Sequence, residues 1–360
     1  MKSMLRTLFV TLCSALLAVA TLSAQTPKNI IYLIGDGMSI ASVSMMQLVN
    51  RYEPTIFDRA ENIALQRSYS ADNRITDSAA AGTALATGVK TNNTYLGVSP
   101  DGTAVESLFE VAQRGGKATG VVVTTYLQHA TPAAFYAHIP SRHEYATISE
   151  QLLGSKIDVA IGGGMSFFDE RYGSRSQAVE AIKAAGFTLA NDFAAVERAT
   201  PDSRLLALLA DGEVGADSGS YLADATRKSL ELLEARGGDE GFVLMVEGSL
   251  IDGMGHANDA VAQQREMEGF MLAVEAAVEY AAHHADTLVV VTADHGTGGL
   301  TLVSANADFT LAEQGVEFRW TTGGHSGEMI PIYLYGSGAE LINGVMDNSE
   351  LGAHLKRLVE

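Results

Sequence analysis

The sequence holds a single cysteine, Cys13, among its 360 residues. A disulfide framework is therefore excluded, and the fold has to be held by its core and by any bound ions. Long apolar runs are scarce as well. The one at 8–20 follows Lys2 and Arg6 and gives way to small residues ending at Ala24. A basic start, a short apolar stretch and a small-residue end read as an export signal over residues 1–24, too short to make a convincing membrane span. Cys13 lies inside it behind Val10, Thr11 and Leu12, a poor lipoprotein site because small residues should precede the cysteine. The expectation is a periplasmic or secreted protein with no stable membrane anchor.

Basic residues are also few. Lys and Arg number 24 against 43 Asp and Glu, a net charge of −19 that becomes −21 once Lys2 and Arg6 are removed. So acidic a surface argues against nucleic acid and anionic membranes as partners. Any anionic substrate must be drawn in by positive charge placed locally. Internal repeats, low-complexity tracts and Pro/Gly/Ser-rich linkers are absent too, so residues 25–360 are expected to form one domain, ample for a sizeable core.

What is present is an alternation of apolar runs and helical patterns. The stretches 29–34, 119–124, 157–161, 242–246, 287–292 and 330–335 are continuously apolar and β-branched, the signature of strands buried on both faces. Between them, 107–114 and 221–236 are helical patterns stopped by paired glycines, and 259–283 is a helix capped by Asn258 or Asp259. The order predicts an α/β fold, a three-layer sandwich with a mostly parallel central sheet. The least strand-like region, 165–220, reads as a helical excursion on the rim.

Ligands of such sheets bind outside the carboxyl ends of the strands, and the polar residues fall there. The first strand runs into Asp36, the strand at 242 into Glu247, and the strand at 287 into Asp294 and His295. Carboxylates converging from separate strands repel one another unless cations lie between them. Mixed Asp and His ligation suits zinc, whereas an all-oxygen set suits magnesium. Asp252 and His256 are four apart among glycines, on a loop or a first helical turn. His325 sits in a glycine-rich loop. Ser78 opens an alanine-rich helical segment, 76–88. It serves either as an N-cap or as a nucleophile at a helix terminus whose N–H groups attract phosphate.

These blocks together resemble the alkaline phosphatase family. The resemblance runs through the sequence around Asp36 (YLIGDGM), Thr76 to Ala79, Ala86 to Thr91, Ala130 to Ala133, Ser141 with Arg142, Val246 to Gly248, Ile251 with Asp252 and His256, Thr292 to His295, and Gly324 with His325. It implies metal-dependent hydrolysis of small phosphate monoesters through a phosphoserine on Ser78. It also implies two zinc ions, one held by Asp252, His256 and His325 and the other by Asp36, Asp294, His295 and Ser78. A third ion, magnesium, would take Asp36, Thr131 and Glu247, and Arg142 would grip two phosphoryl oxygens. His129 stands where the family varies between Asp and His, and two positions depart from the family pattern: Gly253 where Lys, His or Trp is found, and Thr297 where histidine is common. His129 is expected either at the third ion or as a hydrogen-bonding residue behind it. Gly253 lacks a phosphate-contacting side chain, so product phosphate is expected to leave faster. A homodimer is left open, since a chain shorter than many members is expected to lack the peripheral insertions that form dimer contacts in them. The alternatives are a diesterase, a phosphonate or sulfate-ester hydrolase on the same core, or a phosphate- or metal-binding protein without turnover.

Overall fold

The computed structural model describes residues 26–215, 219–304 and 316–360. The expected export signal, with Cys13, lies outside them. Strand β1 (Asn29–Gly35) sets the plan, because all seven of its residues are buried. Its side chains alternate between two separate apolar clusters, Ile30, Tyr32 and Ile34 in one and Ile31 and Leu33 in the other. A strand covered on both faces carries no polar alternation, which is why its sequence is a continuous apolar run.

The further strands are β2 (Asn62–Arg67), β3 (Ala118–Tyr126), β4 (Val159–Gly163), β5 (Phe187–Ala190), β6 (Arg204–Leu208), β7 (Phe242–Gly248), β8 (Thr287–Thr292), β9 (Gly296–Thr297), β10 (Leu300–Ser304), β11 (Val316–Trp320), β12 (His325–Ser326), β13 (Ile330–Gly336) and β14 (Gly344–Asp347). Ten of them form one sheet in the order β14-β2-β13-β8-β1-β7-β3-β4-β6-β5. Every neighbouring pair is parallel except the two made by β13, which runs against both β8 and β2. Helices Ser78–Thr87, Leu108–Arg114, Tyr145–Gly154 and Asn348–Val359 cover the first cluster, and Ile40–Val49, Tyr221–Gly237 and Ala260–His283 the second. This is the expected three-layer sandwich with a mostly parallel sheet.

The region 165–220 departs from its helical expectation. It does supply helices Met165–Tyr172, Arg175–Ala184 and Phe193–Glu197, but also β5 and β6, which extend the sheet at one edge. Both strands are short, and their Leu and Ala suit helix as well as strand, so the pattern alone does not separate the two. Residues 250–256 depart as well, forming a helix of seven residues rather than a loop or a single first turn, despite Gly253 and Gly255. A Cβ on Gly255 would lie 3.0 Å from Cβ of Thr297, so the glycine lets this helix approach β9. Among the described residues, no helix is long and apolar enough to cross a membrane.

Candidate active site

Four adjacent strands, β8, β1, β7 and β3, run in the same direction and end along one edge. Asp36 follows β1, Glu247 is the penultimate residue of β7, Asp294 and His295 follow β8, and His129 and Thr131 follow β3. The reversal of β13 brings its amino end to this edge, and with it His325, five residues before β13 begins. The topology thus gathers residues from across the sequence at one edge of the sheet.

Three groups of side chains result, each with ligand atoms mutually within 4.8 Å: Asp252, His256 and His325; Asp36, Asp294 and His295; and Asp36, His129 and Glu247. Thr131 joins the third group by donating from Oγ1 to Asp36 Oδ2 at 3.3 Å. His129 is divided between two tasks. Its Nδ1 faces Asp36 at 3.8 Å and Glu247 at 3.7 Å, while Nε2 lies 3.2 Å from Nη2 of Arg142. It therefore both faces the third group and supports the arginine.

The orientation of the other three histidines is set by their Nδ1 atoms. His256 Nδ1 meets the carbonyl of Gly323 at 2.7 Å and His325 Nδ1 that of Thr76 at 2.8 Å. A carbonyl only accepts, so each Nδ1 carries the proton. The hydroxyl of Thr297 donates to Asp252 Oδ1 at 2.5 Å and so can only accept from His295 Nδ1, 3.3 Å away. When the rings are neutral, all three therefore turn an unprotonated Nε2 toward carboxylates: His295 to Asp294 at 3.2 Å, His256 to Asp252 at 3.3 Å and His325 to Asp252 at 3.7 Å. Lone pairs face lone pairs across these gaps, an arrangement that needs a cation or a proton between them.

Burial makes the same demand. Asp36, Glu247, Asp294 and His295 are fully buried. Asp36 Oδ1, both carboxylate oxygens of Glu247, Asp294 Oδ2 and His129 Nδ1 have no hydrogen-bond partner, a costly state for buried polar atoms. Without cations, burial and then repulsion from Asp294, Asp252 and Glu247 hold the Asp36 carboxyl well above its usual range. Burial, followed by the charge of Asp252, pushes Asp294 up to about 7. Burial likewise depresses His295 to about 4, whereas the hydrogen bond to Asp252 raises His256 to about 9. The donor set therefore fits divalent cations, with imidazole and carboxylate in two groups and mostly oxygen in the third.

Ser78 is the first residue of its helix, and the N-cap is Asp77, whose Oδ1 accepts from Ala80 N at 3.0 Å. Ser78 Oγ is thus free of capping and lies 3.2 Å from Nε2 of His295, next to the second group. All ten residues of this helix are buried. Its small side chains allow that: a Cβ on Gly82 would come within 3.2 Å of Ala134 and 3.3 Å of Thr131. Asp77 also accepts from Thr94 N at 3.1 Å and from Nη1 of Arg142 at 3.2 Å. Arg142 is held at one nitrogen by Asp77 and at the other by His129, in a site where its side chain is 17% exposed. Sequence reasoning missed this second function of Asp77. The available signal was an acidic residue immediately ahead of a small-residue helix. Gly253, on the helix carrying Asp252 and His256, has open space where a side chain would project.

Residues 27–314 match the alkaline phosphatase family. Alkaline phosphatase 3 of Bacillus subtilis (strain 168) is 33% identical, across 92% of this chain and 89% of that protein. The alkaline phosphatase from the Antarctic bacterium TAB5 superposes with a TM-score of 0.86 at 34% identity, covering 94% of this chain and 99% of that one. A mutant of that enzyme with magnesium bound in its M3 site gives a TM-score of 0.86 at 32% identity over the same shares. With its polar groups gathered where cations are needed, this chain belongs to the alkaline phosphatase family and is a metal-dependent enzyme that hydrolyses phosphate monoesters.

Proposed function

We propose that hydrolysis proceeds through a phosphoserine on Ser78. In this reading Asp252, His256 and His325 hold one zinc ion and Asp36, Asp294 and His295 a second. Asp36, Thr131 and Glu247 hold magnesium, with His129 beside them. The observation that carries it is the position of Ser78, released from capping by Asp77 and set at a buried helix terminus 3.2 Å from His295. Bound cations supply positive charge that eases ionisation of a nearby hydroxyl and stabilises a departing alkoxide.

The chain's own residues do the rest. Ser78 attacks phosphorus in line, and the first turn of its helix directs N–H dipoles at the phosphoryl oxygens. Arg142, pre-oriented by Asp77 and His129, presents its remaining N–H groups to two of those oxygens and balances their charge. A water then cleaves the phosphoserine and releases phosphate. Gly253 adds no side-chain contact to the product, which favours its departure. Positive charge confined to the site also reconciles an anionic substrate with a chain of net charge −19. We also propose export directed by residues 1–24, with action in the periplasm or outside the cell.

The test is mass spectrometry of enzyme mixed with an aryl phosphate and quenched in acid, beside elemental analysis of the purified protein. Phosphate on Ser78, with zinc and magnesium bound, is expected. Phosphate on another residue, or preference for a diester over the monoester in parallel assays, contradicts the proposal.

A further inference from the structure

Gln66 is a fully buried polar residue on β2, two strands away from β8. Its backbone register places it opposite Ile330 of β13. From there its amide reaches past β13: Nε2 donates to Thr292 Oγ1 and to the carbonyl of Ala293, both at 2.7 Å. Thr292 Oγ1 in turn donates to the carbonyl of Pro331 at 2.9 Å. These bonds lie where the backbone ladder between β13 and β8 stops. Its last pair at this end is Tyr333 with Val291, and Pro331 has no N–H to continue it. Side chains take over the tie at the point where β8 gives way to Asp294 and His295.

A leucine would fill similar volume without desolvating an amide, so packing alone does not account for Gln66. A comparable tie exists two strands along the sheet. Thr124 Oγ1 of β3 accepts from Ser249 N at 2.9 Å, just past Glu247 on β7. In both places a neutral side chain fixes the backbone next to a buried carboxylate.

We propose that Gln66 is a positioning residue for the active site, its amide clamping Thr292 and Ala293 so that Asp294 and His295 leave β8 in the direction that brings them to Asp36 and Ser78. This rests on the reading that Asp294 and His295 hold a cation. Neighbours that orient ligands in this way are worth about 10- to 100-fold in metal affinity.

The experiment titrates cobalt(II), followed by its visible absorption, into metal-stripped wild-type protein and the variants Q66M, T292V and D294N. Q66M keeps an unbranched side chain of similar length without the donors, and T292V removes the side-chain acceptor of the same tie, leaving only the bond to Ala293 O, should Q66M fail to fold. The expected result is that D294N abolishes one class of site and that Q66M or T292V weakens that same class about 10- to 100-fold. The other classes keep wild-type affinity, and the metal-free variants unfold near the wild-type temperature. Wild-type affinity at every site in the folded variants, or loss confined to metal-free stability, overturns the positioning role. Retention of every site by D294N overturns the ligand assignment beneath it, and the inference with it.

Discussion

Arg142→Lys keeps the positive charge at the phosphoryl position but removes its shape. In the wild type the guanidinium is held in plane by Asp77 at Nη1 and by His129 at Nη2, each at 3.2 Å, leaving a fixed fork for two oxygens. A lysine ammonium is a point donor on a flexible stem and cannot keep both supports while presenting two parallel N–H groups. The loss is about one charge-assisted hydrogen bond made in the transition state, roughly 1.5–3 kcal/mol. Converted at 1.4 kcal/mol per decade, kcat/KM for an aryl phosphate should fall about 10- to 150-fold. A pH signature accompanies it. Burial opposes the Arg142 charge, but Asp77 and Asp36 outweigh it and raise the guanidinium further, so arginine stays charged throughout the alkaline range. Lysine in the same partly buried place is easier to deprotonate, so the deficit should widen as pH rises. Steady-state kinetics across alkaline pH measure both effects. A lysine variant with wild-type kcat/KM at every pH would refute the claim that planar, two-point recognition matters here.

Two further expectations concern stability. His138 bonds Gly97 O through Nδ1 at 2.7 Å and Glu110 through Nε2 at 3.1 Å; the Glu110 bond raises its pKa against the opposing effect of burial. A raised histidine contributes stability fully below the unfolded value of about 6.5 and loses it as pH climbs through the folded value. The melting-temperature gap between wild type and His138→Gln should therefore be widest below about pH 6.5 and shrink toward alkaline pH, and a gap that grows with pH would show the pair is misread. Gly352→Ala would put a Cβ 2.4 Å from Ala84 O and 2.6 Å from Leu85 O. These are backbone atoms with little room to yield, so about 1–3 kcal/mol of destabilisation is expected in denaturant titrations, and an unchanged midpoint would mean the helices are not in close contact.

The central strands were legible because burial on both faces leaves an unbroken apolar run, as in β1, β7 and β8. β2 was not, since its burial alternates and it carries Asn62, Gln66 and Arg67. β14 is an edge strand of four residues, and β6 reads equally well as helix. Asp36, Glu247, Asp294 and His295 could be found because a polar residue ending a buried strand asks for a partner. His129 was visible, but not its double use, because nothing in sequence tells which way its two nitrogens point. Asp77 and Gln66 were hidden for another reason. Their importance lies in contacts to Arg142 and Ala293, 65 and 227 positions away, and the sequence alone does not reveal those neighbours.

The most direct test of the account is Ser78→Ala, assayed with an aryl phosphate alongside metal content and inhibition by inorganic phosphate. Losing the nucleophile while the cation ligands and Arg142 remain should leave metals and phosphate affinity near wild type and cut turnover by at least ~10³-fold. Near-normal turnover by the alanine variant would contradict the assignment of Ser78 as the group that accepts the phosphoryl group.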